Sequence, residues 1–263
     1  MHIQTSRGNI YSYLRRTNEI VGGIVYESDY IWRFDSLHQF TTMPVIGMFI
    51  IGITEQCNLR CTYCCYSGDY ENNRTHNKLA LTSRDIDDIY NFIEQARGKG
   101  NLRIVFYGGE PLLQYKLIQY AIKKGYNRWR NNVVFSISTN GVLLTNDKIK
   151  WFLVHHVELV ISIDGTEVFH NKHRIDASGK GSYKRVNKAL WYIKEVYPEF
   201  IPYVSLQMTL ASFNDIIQIA EEWNNDDLLN GFSLSNIHGL SPNFKIGVKC
   251  INYEETKQLY LHI

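Results

Sequence analysis

Apolar and polar residues follow two patterns that alternate along the chain. Runs rich in β-branched and aromatic residues are typical of strands, and they occupy 45–54, 103–107, 133–138, 157–163, 203–210 and 232–237. Between these runs, apolar residues recur at helical spacing, as Ile86, Tyr90 and Ile93 do. The helical pattern predicts helices from Thr82 or Ser83 to near Gly98 and over 112–129, 146–156, 182–196 and 215–223, with another beginning at Tyr253.

Strand and helix therefore alternate from residue 45 to residue 263 as a six-fold βα repeat. This order is typical of an α/β fold in which parallel strands are joined by right-handed crossovers. Functional residues are then expected at the carboxyl ends of the strands. The first strand, 45–54, is apolar throughout, which predicts that both of its faces are covered.

Residues 1–44 precede the repeat and are not required by it. Two short strand-like segments, 9–14 and 20–26, flank the polar stretch 15–19, which predicts a β-hairpin in a small β-rich extension. An extended peptide can pair with the edge of such a sheet. Packing as a cap beneath the repeat is the alternative use of this segment.

Composition narrows the class of protein. A chain of 263 residues can bury one large core with a small appendage. The formal net charge of +2 does not indicate a nucleic-acid partner. The longest apolar run, 43–53, is too short to span a membrane, and no signal peptide pattern opens the chain, so we expect a cytoplasmic protein. Four of the five cysteines lie within 57–65, which fits a reducing compartment.

The chemistry of the chain is concentrated in the spacing of Cys57, Cys61 and Cys64, which is C-x3-C-x2-C. Three thiolates on one loop can hold three irons of a cubane cluster and leave the fourth iron open to a ligand. Zinc bound with the help of Cys65, and a thioredoxin-like redox pair at Cys61 and Cys64, are the alternatives that spacing alone leaves open.

The motif resembles that of the radical S-adenosylmethionine (SAM) superfamily, C-x3-C-x-aromatic-C, with Tyr63 as the aromatic residue. The resemblance implies a [4Fe–4S] cluster whose open iron is chelated by SAM. It also implies reductive cleavage of SAM to a 5′-deoxyadenosyl radical, which abstracts a hydrogen atom from the substrate. The open partial (β/α)6 barrel of that family fits the six predicted units and has a lateral mouth.

A second motif, Gly108-Gly109-Glu110-Pro111, follows the second predicted strand. The glycines lack Cβ atoms where a ligand must approach, and a carboxylate there can accept a hydrogen bond from an ammonium group. The sequence resembles the GGE motif of the family, which implies that Glu110 holds the amino group of SAM. The same resemblance assigns the ribose to Ser162, with Asn140 and Asp164 as secondary candidates at strand ends.

Three sequence segments resemble those of a peptide- and protein-modifying branch of the family: FYGGEPLL, STNGVLLT and SIDGTEVFHNKHR. That branch includes the anaerobic sulfatase-maturating enzymes and the SPASM-type maturases of ribosomal peptides. His170, His173 and Arg174 fall where it often carries a basic residue near SAM, and solvated loop charges are the alternative. A cysteine-rich C-terminal domain usually follows in the branch, whereas only Cys250 stands in the corresponding part of this chain, which ends within its sixth predicted helix.

The expected function is that of a radical SAM enzyme that modifies a peptide or protein and receives single electrons from a flavodoxin or ferredoxin. A radical SAM enzyme that acts on a small molecule in cofactor biosynthesis is the first alternative. The second, from another class, is a non-catalytic Fe–S or zinc-binding module. Neither a nucleic acid nor a membrane is an expected partner.

Overall fold

The computed structural model describes residues 2–4, 10–14, 19–22, 46–68, 75–98, 100–212 and 215–239. Its backbone separates into two units, Met1–Pro44 and Val45–Ile263, and each is described here by itself. The predicted helix that begins at Tyr253, together with Cys250, lies outside the described residues.

The first unit contains a three-stranded antiparallel sheet in the order β1-β2-β3. Its strands are β1 (His2–Gln4), β2 (Ile10–Leu14) and β3 (Glu19–Gly22). The two predicted strands pair as β2 and β3, with Tyr11 opposite Gly22. The sequence analysis missed β1, because a three-residue strand is too short to display a period of two.

The second unit is built on six parallel strands whose order in the sheet follows their order in the chain. The strands are β4 (Met48–Thr54), β5 (Leu102–Gly108), β6 (Val133–Thr139), β7 (Glu158–Ser162), β8 (Val204–Leu210) and β9 (Ser233–Gly239). Among the described residues the sheet is open, with β4 and β9 at its edges. The α/β class, the partial barrel and the β-rich extension are therefore confirmed.

Helices connect the strands. They are α1 (Ser83–Ala96), α2 (Tyr115–Trp129), α3 (Asn146–Val154), α4 (Glu167–His173), α5 (Tyr183–Val196) and α6 (Ile216–Asn225). Short 3-10 turns occupy Pro111–Gln114, Arg130–Asn132, Pro198–Tyr203 and Leu229–Gly231. Thr82 caps α1 in a capping box, since its Oγ1 accepts from the Asp85 N–H at 3.3 Å and Asp85 Oδ2 accepts from the Thr82 N–H at 2.7 Å. The sequence analysis missed α4, whose two turns carry mostly polar residues.

The core lies between the sheet and the helices. Alternate residues of each strand, such as Ile104 and Phe106 on β5, are fully buried against the helices. The intervening residues are less buried and line the concave face of the open barrel. That face therefore offers polar side chains and space to a ligand at the carboxyl ends of the strands.

The expectation that the first strand is covered on both faces is wrong. Ile51 and Ile53 are buried, but the Met48 and Ile50 side chains are 54% and 63% exposed. The exposed residues of β4 alternate with the buried ones, so they belong to its concave face. An open barrel leaves this face of an edge strand partly uncovered, however apolar its sequence is.

Candidate functional site

A cavity of about 490 Å³ lies at the carboxyl ends of the parallel strands. Its wall combines the cysteine loop with residues from strands β5 to β9 and the loops that follow them: Cys57, Leu59, Cys61, Tyr63, Cys64, Cys65, Tyr66, Tyr107, Gly108, Gly109, Ser138, Thr139, Asn140, Ser162, Arg174, Gln207, Thr209 and His238. Glu110 is absent from this wall, as are the secondary candidate Asp164 and the basic residues His170 and His173. The fold therefore brings together motifs that are far apart in the chain.

The cysteine loop directly follows β4 and is fastened at several points. Backbone N–H groups donate to two of its sulfurs, from Leu59 to Cys57 Sγ at 3.4 Å and from Tyr66 to Cys64 Sγ at 3.5 Å. The Thr62 N–H donates to the His173 carbonyl at 3.0 Å, and Thr62 Oγ1 lies 2.7 Å from His173 Nδ1. The loop is thus tied to the end of α4.

The thiols sit in surroundings that suit a bound metal. Burial raises the pKa of Cys57 to about 11 and that of Cys61 to about 12, so both are protonated at neutral pH unless a cation binds. Metal ions deprotonate the thiols that coordinate them. A cation at this position would therefore compensate for the burial of the sulfurs.

The donor set fits a cluster better than a single ion. In the part of the chain that the structure describes, no three His, Cys, Asp or Glu side chains are grouped as one metal ion requires. A cubane instead places each thiolate on a different iron, so its cysteines must border a common cavity rather than converge on one point. Cys57, Cys61 and Cys64 border such a cavity.

A buried network lies behind Tyr63. Its hydroxyl donates to Asp164 Oδ2, which also accepts from Arg174 Nε at 2.8 Å, and Asp164 Oδ1 accepts from the Thr209 N–H at 2.9 Å. Burial alone would lower the pKa of Arg174, but the neighbouring Asp164 raises it above its usual value. The guanidinium thus stays charged at the cavity wall, 5.6 Å from the centre of the Tyr63 ring.

His170 extends this network and is neutral. It is fully buried, and burial lowers its pKa to about 3. Because the Asp164 N–H donates to Nδ1 at 3.3 Å, the proton is on Nε2, which lies 2.8 Å from Ser182 Oγ. The interpretation of His170 and Arg174 as solvated loop charges is therefore wrong, since both are buried in the crossover after β7.

The double glycine lets the β5 loop pack against the base of the cysteine loop. Gly108 has a φ of 136°, and a Cβ atom there would collide with the Thr54 carbonyl oxygen. At Gly109 a Cβ would collide with the Gln56 carbonyl oxygen, which accepts from the Glu110 N–H at 2.7 Å. Glycine is thus required at both positions for this backbone packing, whereas the sequence had suggested close approach by a ligand.

Glu110 is fully buried behind the cavity wall, and its carboxylate has three protein donors. Oε1 accepts from the Leu112 N–H at 2.9 Å and from Thr139 Oγ1 at 2.7 Å, while Oε2 accepts from the Asn140 N–H at 2.8 Å. Burial raises the pKa of Glu110, and these donors oppose the shift. The carboxylate therefore joins the β5 and β6 loops to each other.

Two further strand ends contribute polar groups. Ser162 Oγ, at the end of β7, accepts from Gln207 Nε2 of β8 at 3.1 Å, and both residues line the cavity. Asn140, just after β6, donates from Nδ2 to Asn58 Oδ1 at 2.8 Å and approaches Cys57 Sγ at 3.8 Å. The sequence analysis noted Asn140 only as a secondary candidate and did not foresee its contact with the cysteine loop or the role of Gln207.

Comparison with known proteins identifies relatives that share the core of the chain. A cysteine-type anaerobic sulfatase-maturating enzyme from Clostridium novyi is 37% identical over 153 residues, which are 55% of this chain and 39% of that protein. The radical SAM cyclopropyl synthase TigE from Paramaledivibacter caminithermalis is 26% identical over 218 residues, 79% of this chain and 44% of that protein. The chain thus spans less than half the length of these two curated relatives.

Solved structures share the fold. A structure described as native anSMEcpe with bound AdoMet and Cp18Cys peptide superposes with a TM-score of 0.62 at 18% identity, covering 81% of this chain and 56% of that one. HydG, a maturase of the [FeFe]-hydrogenase, superposes with a TM-score of 0.57 at 14% identity, covering 83% of this chain and 49% of that one.

The described residues contain no helix long and apolar enough to cross a membrane.

The family model of the radical SAM superfamily matches residues 51–220, more than half of the chain. The match includes the cysteine loop, the double glycine and β4 to β8 from Ile51 onward. The chain therefore belongs to the radical SAM superfamily, whose members use SAM and an iron–sulfur cluster.

Proposed function

We propose that this chain carries the catalytic core of a radical SAM enzyme that modifies a peptide or protein. The observation that carries the proposal is that Cys57, Cys61 and Cys64 border the same cavity as Gly108 and Gly109, at the carboxyl ends of parallel strands. In this proposal the three thiolates hold a [4Fe–4S] cluster and leave one iron for SAM. Bound together, the cluster and SAM would supply one-electron cleavage of SAM and hydrogen abstraction from the substrate.

The residues of the wall have separable tasks in SAM binding. The Arg174 guanidinium, held by Asp164, offers a fixed cation to a carboxylate. The hydroxyl of Ser162 and the amide of Gln207 offer a donor and acceptor pair to the ribose. Gly108 and Gly109 hold the β5 loop against the base of the cysteine loop, and both line the cavity where SAM would bind.

Glu110 acts mainly through the loops that it joins. Its Oε1 already accepts two hydrogen bonds, whereas Oε2 accepts one from Asn140 and retains one acceptor position. An amino group of SAM that reached this position would make a charge-assisted hydrogen bond. The positioning of Gly109 and Asn140 is, in this proposal, the larger contribution of Glu110.

A peptide or protein substrate is supported by the character of the relatives and by the open sheet. The C. novyi relative is named a sulfatase-maturating enzyme, and the anSMEcpe structure was determined with a bound peptide. The sheet of the described residues is open between β4 and β9, and in this proposal an extended chain reaches the cavity from that side. Residues 1–44 are proposed to assist by pairing a strand edge with that peptide, and a flavodoxin or ferredoxin is the proposed reductant.

Anaerobic reconstitution followed by incubation with SAM and dithionite tests the proposal. We expect about four irons for each chain, a visible charge-transfer band and release of 5′-deoxyadenosine. Cys57→Ala, Cys61→Ala and Cys64→Ala should each abolish the band, whereas the matched variant Cys65→Ala should retain it. Loss of the band in Cys65→Ala, or one metal ion for each chain in the wild type, would contradict the ligand assignment.

The substrate class requires a second measurement. Candidate peptides encoded beside the gene should raise the yield of 5′-deoxyadenosine and should change in mass when incubated with the reconstituted enzyme. A turnover that responds only to small molecules would instead support an enzyme of cofactor biosynthesis.

A further inference from the structure

Asn140 presents an N–H group to a sulfur of the cysteine loop. Its Oδ1 accepts from the Val142 N–H at 3.1 Å, which fixes the orientation of the amide in a turn after β6. The opposite end, Nδ2, is therefore the one that lies 3.8 Å from Cys57 Sγ and 2.8 Å from Asn58 Oδ1. Asn140 is 9% exposed, so little water competes for these contacts.

Asn58 completes the arrangement. Because its Oδ1 accepts from Asn140, its Nδ2 must point the other way, and that atom is buried without a hydrogen-bond partner among the described residues. Asn58 does not line the cavity, so its part in the arrangement is to hold Asn140 through Oδ1.

Hydrogen bonds to cluster sulfurs affect the reduction potential. Reduction adds negative charge, which N–H donors stabilise, so each donor makes reduction easier. Cys57 Sγ already accepts from the Leu59 N–H, a backbone donor that substitution cannot remove. Among the described side chains, the adjustable donor at this sulfur is the Asn140 amide.

We infer that Asn140, held by Asn58, is a positioning residue that raises the reduction potential of the cluster bound at Cys57. The inference rests on the proposed function, since it needs a cluster on the three cysteines. The comparisons and the resemblance to the family assign no such task to Asn140. Asn140 donates its backbone N–H to Glu110 and its side-chain Nδ2 to Asn58 of the cysteine loop, so it connects the two.

Asn140→Ser provides the test. The serine hydroxyl can still accept from the Val142 N–H, so the turn is retained, but it is too short to replace the amide beside Cys57. With SAM absent, potentiometry followed by EPR should show reduction of the cluster to be about tenfold less favourable, a shift of about 59 mV to more negative potential for one electron. Iron content and the visible spectrum should match the wild type.

Asn171→Ser is the matched control. It makes the same chemical change at another asparagine that accepts a backbone N–H, that of Tyr183 at 3.0 Å, and whose amide otherwise donates to Glu167. Its potential should equal that of the wild type. An unchanged potential in Asn140→Ser with a full cluster would overturn this inference alone, whereas a wild type that binds no cluster would overturn the proposed function with it.

If Asn140→Ser fails to bind iron, Asn140→Asp and Asn58→Asp replace it. Both add one negative charge beside Cys57, but only Asn140→Asp removes the donor that faces the sulfur. The potential of Asn140→Asp should be the lower of the two. Equal potentials would show that charge alone matters and would overturn the inference.

Discussion

Replacing Glu110 by alanine should destabilise the fold before it affects SAM binding. The change removes the acceptor of the Leu112 and Asn140 N–H groups and of the Thr139 hydroxyl, all in a fully buried position. A buried donor left unpaired costs about 1–3 kcal/mol, so the two backbone groups alone lose about 2–6 kcal/mol. Small domains have about 5–15 kcal/mol of stability in total, so this is a large fraction.

Thermal unfolding of the reduced protein without its cluster measures the effect. In a domain of this size about 1 kcal/mol corresponds to a change of about 2–4 °C in Tm, so Glu110→Ala should lower Tm by at least about 4 °C. Glu110→Gln keeps the oxygen that accepts from Leu112 and Thr139 and should lower Tm less. Glu195→Ala, at an exposed position of α5, should leave Tm unchanged.

A different result would contradict the role of Glu110 in joining the two loops. If Glu110→Ala unfolds at the wild-type temperature yet binds SAM about tenfold to a hundredfold more weakly, the carboxylate meets the ligand directly through a bond of about 1.5–3 kcal/mol. The loop-joining role derived from its three protein donors would then be wrong.

Three further predictions concern other parts of the molecule. The folded-state pKa of His170 is lowered to about 3 from 6.5, so between these pH values the unfolded chain binds one more proton than the folded chain. The free energy of unfolding, measured with urea, should therefore fall as pH falls from 6.5, by about 2 kcal/mol at pH 5. His170→Gln should lack this pH-dependent loss. Gly108→Ala, which meets the Thr54 carbonyl at a φ of 136°, should lose at least about 2 kcal/mol in the same assay, whereas Gly52→Ala, with open space around its Cβ position, should lose far less. Deletion of residues 1–44 should weaken peptide turnover, measured by mass spectrometry, and should leave SAM cleavage without substrate unchanged. Unchanged peptide kinetics would show that residues 1–44 do not recognise the peptide. An insoluble product would favour a packing role for this segment.

Much of the fold is predictable because the local periodicity of apolar residues distinguishes strands from helices. Each strand of the barrel is a short apolar run, and each helix except α4 repeats its apolar residues at helical spacing, so order and type follow from the chain alone. The predicted helix ends differ from the observed ones by a few residues. For example, the first residues of the helix predicted over 112–129 belong to the 3-10 turn Pro111–Gln114, which precedes α2. The exposure of Met48 and Ile50 was not predictable, since it depends on which strands lie at the edge of the sheet.

The sequence by itself determined the motifs whose chemistry is local. Cys57, Cys61 and Cys64 lie within one short loop, so their spacing and the resemblance of the motif predict a cluster, and the double glycine predicts a close backbone approach. Only the tertiary structure decided which distant groups meet them: Asn140 reaches Cys57 across 83 positions, and Tyr63 reaches Asp164 across 101. The physical reason is that parallel strands joined by crossovers bring their carboxyl ends to one edge, where contacts depend on register and burial, which no local pattern encodes.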